Sequence, residues 1–394
     1  MNDKTSTRLI HHPYRAPAGF ESPVQPVHKG STVFFPNTAA MRSRTWLDRS
    51  AYTYGLHGTP TSFALEERLA TLEGGRYTML VSSGLAAITL VDIALLASGD
   101  QVLLPDNVYA PNKAFTQHEL AAWRVSHALY DPLDIESLVA ALTPATKLVW
   151  LEAPGSVTLE FPDLRGMVRA VRERAPQAVI ALDNTWGAGL AFNAFDLGAG
   201  LGVDITVHAL TKYPSGGGDV LMGAVTCASD ALYRQLALSR SRQGHGVAAN
   251  DVEAVLRSLP SLPLRYAAQD AAGRTFAQWC TKQAQFTRVL HPALPDSPGH
   301  AHWRSHCRAA AGQVTVEVDA QWAMPRIDAF VDALKLFRIG YSWGGPVSLA
   351  VPYIPGAIRE HASNYRGMLV RFCIGLENVD DLIADAQQAL AVLK

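Results

Sequence analysis

A lysine placed directly after an apolar run is a candidate for covalent chemistry. In His208-Ala-Leu-Thr-Lys212-Tyr-Pro-Ser-Gly-Gly-Gly, Lys212 follows the run Asp204–Val207 and precedes a glycine-rich loop. Open parallel sheets bind ligands just beyond the carboxyl ends of their strands. A lysine held there in apolar surroundings gives up its proton easily and can act as a Schiff-base nucleophile. Most lysines are solvated, so Lys212 alone reads as a surface residue at a loop start. Four further segments change that. Val179-Ile-Ala-Leu-Asp183 ends an apolar run in a carboxylate. It is either a helix cap or the anion that keeps a pyridine nitrogen protonated, making the ring an electron sink. Ser82-Ser-Gly-Leu-Ala-Ala87 joins a run to a helix start, as a tight turn or a phosphate cradle of backbone N–H groups. Tyr109, after Val102-Leu-Leu-Pro-Asp-Asn-Val, is a core residue or a stacking surface for a flat cofactor. Arg371 sits in the apolar stretch Met368-Leu-Val-Arg-Phe-Cys-Ile374. A cation there needs a partner. An amino acid's α-carboxylate gripped bidentately is one, and an internal Asp or Glu is the other.

Such residues need a scaffold, and the order of elements supplies it. Apolar runs at Thr78–Val81, Gln101–Leu104, Lys147–Leu151, Ala178–Leu182, Asp204–Val207 and Leu221–Thr226 are separated by helical patterns such as Leu85–Ala97 and Asp134–Leu142. That alternation predicts an α/β fold, a mainly parallel sheet covered by helices. Residues 1–58, with Pro13, Pro17, Pro23, Pro26 and Pro36, read as an N-terminal arm. A helix fits Ser62–Glu73, stopped by Gly74-Gly75. Residues 59–250 read as the sheet-bearing domain and 251–394 as a smaller C-terminal α+β domain. The latter has a helical stretch over Asp251–Leu290, strands at Gln313–Val318 and Gly367–Gly375, and a last helix over Val379–Leu393.

Composition narrows the function. The 394 residues carry 34 lysines and arginines against 35 acidic residues, a net charge of −1, and 48% are hydrophobic. Disorder is excluded, and nothing basic marks a nucleic-acid binder. The low charged fraction, 18%, hints at surface buried between subunits. Four scattered cysteines, Cys227, Cys280, Cys307 and Cys373, suit a reducing cytoplasm and form no zinc or disulfide pattern. The N-terminus has no secretory core. Met79–Ser98 is long enough for a bilayer, but Ser82-Ser83-Gly84 and Asp92 make it a strand, turn and helix. Gly198-Ala-Gly200-Leu-Gly202 precedes a strand and reads as a loop, not a dinucleotide fingerprint. Gly299-His-Ala-His-Trp-Arg-Ser-His-Cys307 reads as a solvated loop, not a metal site.

The motifs taken together resemble a known family. Tyr54-Gly…His57-Gly-Thr-Pro-Thr61, Leu72-Glu-Gly-Gly75, Ser82–Ala87, Asp183-Asn-Thr-Trp186 and Ala209-Leu-Thr-Lys-Tyr213 occur in the order of the pyridoxal-phosphate-dependent enzymes of Cys/Met metabolism. Glu152-Ala-Pro-Gly-Ser-Val-Thr158, Tyr341-Ser-Trp-Gly-Gly345 and Ile374-Gly-Leu-Glu377 are similar to the bacterial cystathionine β-lyase branch. The resemblance implies a fold type I pyridoxal-phosphate transferase-like architecture and a homotetramer, a dimer of dimers with shared active sites. Lys212 would hold the cofactor and later shuttle the Cα proton. Asp183 would pair with the pyridine nitrogen, and Tyr109 would stack on the ring. Gly84, Leu85 and Thr211 would bind phosphate, and Tyr54 would reach the phosphate of a neighbouring subunit. Arg371, with Ser342 and Trp343, would hold the substrate carboxylate. The implied reaction is α,β-elimination of cystathionine to homocysteine, pyruvate and ammonia. Alternatives are a broad cysteine-S-conjugate β-lyase, a γ-acting relative (cystathionine γ-synthase, cystathionine γ-lyase or methionine γ-lyase) and a non-catalytic cofactor-binding regulator. Tyr341 stands where γ-acting relatives tend to have glutamate. Two departures stand out: Leu56 replaces a phosphate-binding arginine and Ala209 a serine.

Overall fold

The computed structural model describes residues 4–11, 18–19, 22–47, 49, 51–359 and 364–393; Pro13 and Pro17 of the expected arm lie outside them. Seven strands form the larger sheet: β1 Tyr77–Val81, β2 Gln101–Pro105, β3 Ser126–Tyr130, β4 Thr146–Glu152, β5 Val179–Asp183, β6 Ile205–Ala209 and β7 Gly223–Cys227. Their order is β1-β7-β6-β5-β4-β2-β3. Only β7 runs against its neighbours, so the sheet is mainly parallel, as expected. Helices cover both faces, and strands buried on two sides read as unbroken apolar runs. Leu148–Leu151 and Ile180–Leu182 are buried throughout. One layer packs Leu65, Leu69, Met167 and Trp186 under the sheet; the other packs Ile88, Leu90, Val91 and Trp150. β3 has no counterpart among the expected runs. It is an edge strand, four of its five residues reach solvent, and a half-wet edge needs no apolar run.

The helix Gly84–Leu95 shows how local chemistry sets a boundary. Ser83 caps it, its side chain accepting from the Ala86 N–H at 3.0 Å. Further along, the buried Asp92 accepts from Trp150 Nε1 at 2.8 Å. Burial pushes its carboxyl from 3.8 up to about 7. An acid that holds its proton more tightly folded than unfolded loses stability as pH rises between those two values. Asp92→Asn keeps the acceptor and removes the charge. Its thermal midpoint should match the parent's at pH about 4 and exceed it by pH about 7, a gain of a few kcal/mol. Parallel midpoints across that window would refute the assignment.

A second sheet, β8 Phe286–Leu290, β9 Gln313–Val318, β10 Arg338–Ile339, β11 Leu349–Tyr353 and β12 Leu369–Cys373, has the order β10-β11-β12-β9-β8. Val314, Val316, Val370 and Phe372 alternate onto one face and pack with Phe276 and Phe330. The intervening residues, Gln313, Thr315, Arg371 and Cys373, fall on the opposite face by the period of two.

Two expectations are corrected here. The helical stretch over 251–290 divides into Ala249–Ser258, a short turn at Leu259–Ser261 around Pro260, and Leu262–Cys280, and Phe286–Leu290 is strand β8. Its backbone partners lie in β9, which local periodicity does not reveal. The histidine-rich segment is a helix, His300–His306, anchored by the buried Trp303, whose Nε1 donates to the Ala309 carbonyl at 2.9 Å. Among the described residues no group of His, Cys, Asp and Glu is placed to hold a metal. Nor is any helix long and apolar enough to cross a membrane. All four cysteines are free thiols.

Candidate active site

Beyond the carboxyl ends of β4, β5 and β6 lies a cavity of about 900 Å³, its open mouth included. Gly84, Tyr109, Asp183, Thr211, Lys212 and Arg371 all line it. Residues separated by up to 287 positions (371 − 84) therefore share one site.

Its floor is the start of the helix Gly84–Leu95. Ser83 takes the third N–H of the first turn, leaving those of Gly84 and Leu85 at the positive helix end, where an anion is favoured. A side chain on Gly84 would come within 2.6 Å of Ala209 Cβ, so glycine and alanine here let helix and strand approach closely. Thr211 lines the cavity, while its hydroxyl donates to the Met222 carbonyl and accepts from the Met222 N–H.

Asp183 ends β5, half-buried at the cavity wall, with Oδ1 accepting from the Thr185 N–H at 2.9 Å. Burial raises its pKa, opposed by the Thr185 hydrogen bonds and by His208. An anion in this state is stabilised by a cation laid against it. Directly opposite on β4 stands Glu152, which also lines the cavity. Burial first, then the charge of Asp183, pushes its carboxyl well above the usual range. It accepts from the Tyr109 N–H at 2.8 Å and so fixes that residue's backbone. Glu152 is absent from the expected site residues. Its signal was available: like Asp183, it is the polar residue that ends a buried run. Tyr109 is 36% exposed, its ring a free face at the cavity wall.

Lys212 Nζ donates to Ser342 Oγ at 2.8 Å and lies 4.6 Å from the centre of the Trp343 ring. Burial, then the charge of Arg371, lowers its pKa to about 8. Ser342 has φ 150°, a strained value for a residue other than glycine. Arg371 is 4% exposed. Its guanidinium is 5.3 Å from the ring centres of Trp343 and of Tyr353, and its Nε is buried without a partner. No carboxylate among the described residues pairs with it. The internal salt bridge, one of its two candidate partners, is not what the chain builds.

Tyr54 is the exception among the expected residues. Within one chain it is 47% exposed and lines a separate cavity with Leu56 and Arg240. His57 beside it stacks on Trp46 at 4.7 Å and bonds Thr53 and Ser241 through its two ring nitrogens. Burial, then Arg240, lowers its pKa.

A half-buried carboxylate, a lysine of lowered pKa, a helix N-terminus and an aromatic face at the cavity wall suit the ring nitrogen, aldehyde, phosphate and flat ring of pyridoxal phosphate. On this sheet topology they define a fold type I pyridoxal-phosphate enzyme. Over residues 6–391 the chain matches the family described as Cys/Met metabolism PLP-dependent enzyme, and it belongs to that family. It is 35% identical to the cystathionine beta-lyase MetC of Escherichia coli, over 86% of this chain and 85% of that one. It is 31% identical to the L-methionine gamma-lyase of Pseudomonas putida, over 98% and 96%. The crystal structure of metB from Corynebacterium glutamicum superposes with a TM-score of 0.89 at 26% identity, over 100% and 99%.

Proposed function

We propose that the chain is a carbon–sulfur β-lyase that splits L-cystathionine by α,β-elimination into homocysteine, pyruvate and ammonia. In this reading Gly84, Leu85 and Thr211 hold the cofactor phosphate, Asp183 faces the ring nitrogen, Tyr109 stacks on the ring and Lys212 binds the aldehyde. Pyridoxal phosphate supplies an electron sink for the pair released at Cα. Arg371 grips the α-carboxylate between the rings of Trp343 and Tyr353. Lys212 takes the Cα proton and can return it to the leaving sulfur. Ser342, accepting from Nζ, keeps the amine aimed at the cavity.

The observation that carries the β assignment is the residue at position 341. Both eliminations begin with a proton taken at Cα by Lys212, and γ-elimination moves protons at Cβ as well. The position where γ-acting relatives tend to have glutamate holds Tyr341, 82% exposed, its ring tilted against that of Tyr353 with centres 6.5 Å apart. The name of the Escherichia coli relative supports the same reading. Incubation with L-cystathionine decides it: pyruvate is expected, and 2-oxobutyrate would overturn the proposal.

The same reading divides the chain into an arm (1–58), a cofactor-binding domain (59–250) and a C-terminal domain (251–394), and places it in the cytoplasm. The assembly is a homotetramer in which Tyr54 reaches a neighbour's cofactor phosphate. Exposed apolar residues on the arm, Phe34 at 90% and Val24 at 60%, support such an interface.

A further inference from the structure

The second sheet brings one more polar side chain to the cavity. Gln313 opens β9, directly opposite Cys373 of β12 and on the same face as Arg371. It lines the cavity with Lys212 and Arg371, yet it is only 4% exposed. Buried carboxamides are normally hydrogen-bonded. Gln101 accepts from Thr143 and Thr146, and Gln269 donates to the Gly345 carbonyl at 2.9 Å. The Gln313 side chain lines the cavity and makes no hydrogen bond to a described residue, and the Nε of Arg371 on the same face is buried without a partner. The backbone that carries Gln313 is tightly set. Gly312 donates to the Tyr213 hydroxyl at 3.1 Å, one residue from Lys212, and its carbonyl accepts from Ile374 at 2.7 Å. A side chain on Gly312 would come within 3.0 Å of the Ile374 carbonyl. The position of Gln313 is therefore fixed to the lysine on one side and to the arginine strand on the other.

Two unpartnered donors at one end of a cavity call for one acceptor with several lone pairs. We propose that Gln313 is a substrate-binding residue whose carboxamide N–H₂ donates, beside Arg371, to the carboxylate of the amino-acid substrate. The inference rests on the amino-acid lyase reading above and adds a neutral donor to a site otherwise held by one cation. A neutral donor leaves the charge balance around Lys212 unchanged, which a second arginine would not.

The test compares the holoenzyme with Gln313→Met, which keeps length and burial, and Gln313→Glu, which sets an anion against the ligand. Each is titrated with L-alanine and with L-alaninamide, following the absorbance of the bound cofactor, and KM and kcat for L-cystathionine are measured. The affinity ratio of alanine over alaninamide should fall about tenfold in Gln313→Met and further in Gln313→Glu. KM should carry most of the change in turnover. An unchanged ratio in Gln313→Met overturns the proposal, as does an equal loss for both ligands, which a structural role would give. Should even the parent holoenzyme answer neither amino acid, the lyase reading fails with it, and the two failures are told apart by the parent alone.

Discussion

Lys212→Ala should abolish pyruvate formation, a loss of about 10⁴-fold or more, while the protein still takes up pyridoxal phosphate. Retention follows, in the proposed reading, from the parts of the site that do not depend on the amine: the N–H groups of Gly84 and Leu85, Asp183 and the Tyr109 ring. Loss of turnover follows because Lys212 is the amine that takes the Cα proton in the proposed reading. Burial, then the charge of Asp183, raises the Glu152 pKa well above the ordinary carboxylate range, and in that reading Asp183 faces the ring nitrogen. The parent offers a second readout. An amine attacks an aldehyde only when unprotonated, and Lys212 loses its proton at about 8 against an ordinary 10.5. Capture of pyridoxal phosphate by the cofactor-free protein should accelerate with a midpoint near that lower value. A rate still climbing toward 10.5 would show a solvated lysine. Unimpaired turnover by Lys212→Ala would remove the mechanism altogether.

Arg371→Met should lower kcat/KM for cystathionine by about 100- to 1000-fold, mostly through KM. The guanidinium is buried between two aromatic rings with no carboxylate paired to it. A substrate carboxylate arriving there meets a desolvated cation, where ion pairing is strongest. Arg371→Lys should recover little, because an ammonium is a point charge and cannot make the paired contacts of the planar fork. A coupled effect is expected as well. Arg371 is the second cause of the lowered Lys212 pKa, after burial. Removing that like charge should move the pH midpoint of cofactor capture upward. Steady-state kinetics and the capture rate measure the two effects separately. A variant with parental KM would mean that the carboxylate is bound elsewhere.

The residues just discussed differ in how far the chain itself announces them. Lys212 and Asp183 each end a run that must be a buried strand. In a parallel sheet those ends meet at one rim, so their proximity follows from sequence order. The phosphate cradle is equally local, a serine cap followed by glycine at a helix start. Arg371 is conspicuous as a cation in an apolar strand, yet sequence left two partners open. Only the packing of the second sheet against the cavity leaves it without an internal carboxylate. Glu152 and Gln313 carry no comparable mark, because an isolated Glu or Gln near a strand end is commonplace, and their burial comes from contacts distant in the chain. β8 and the helix His300–His306 are illegible in the sequence for a related reason: the strand depends on β9, and the helix on the burial of Trp303.

By itself, then, the sequence determined the alternation of elements, the mainly parallel sheet and the lysine, carboxylate and glycine turn at its rim, since each rests on residues close together in the chain. The tertiary structure decided which polar groups lose water. The close approach of the second sheet depresses the lysine and brings Arg371 and Gln313 to the cavity with no internal carboxylate for the cation, while Tyr54 lies in a separate cavity beside the arm. Desolvation is a property of neighbours from remote segments, and no local pattern encodes it.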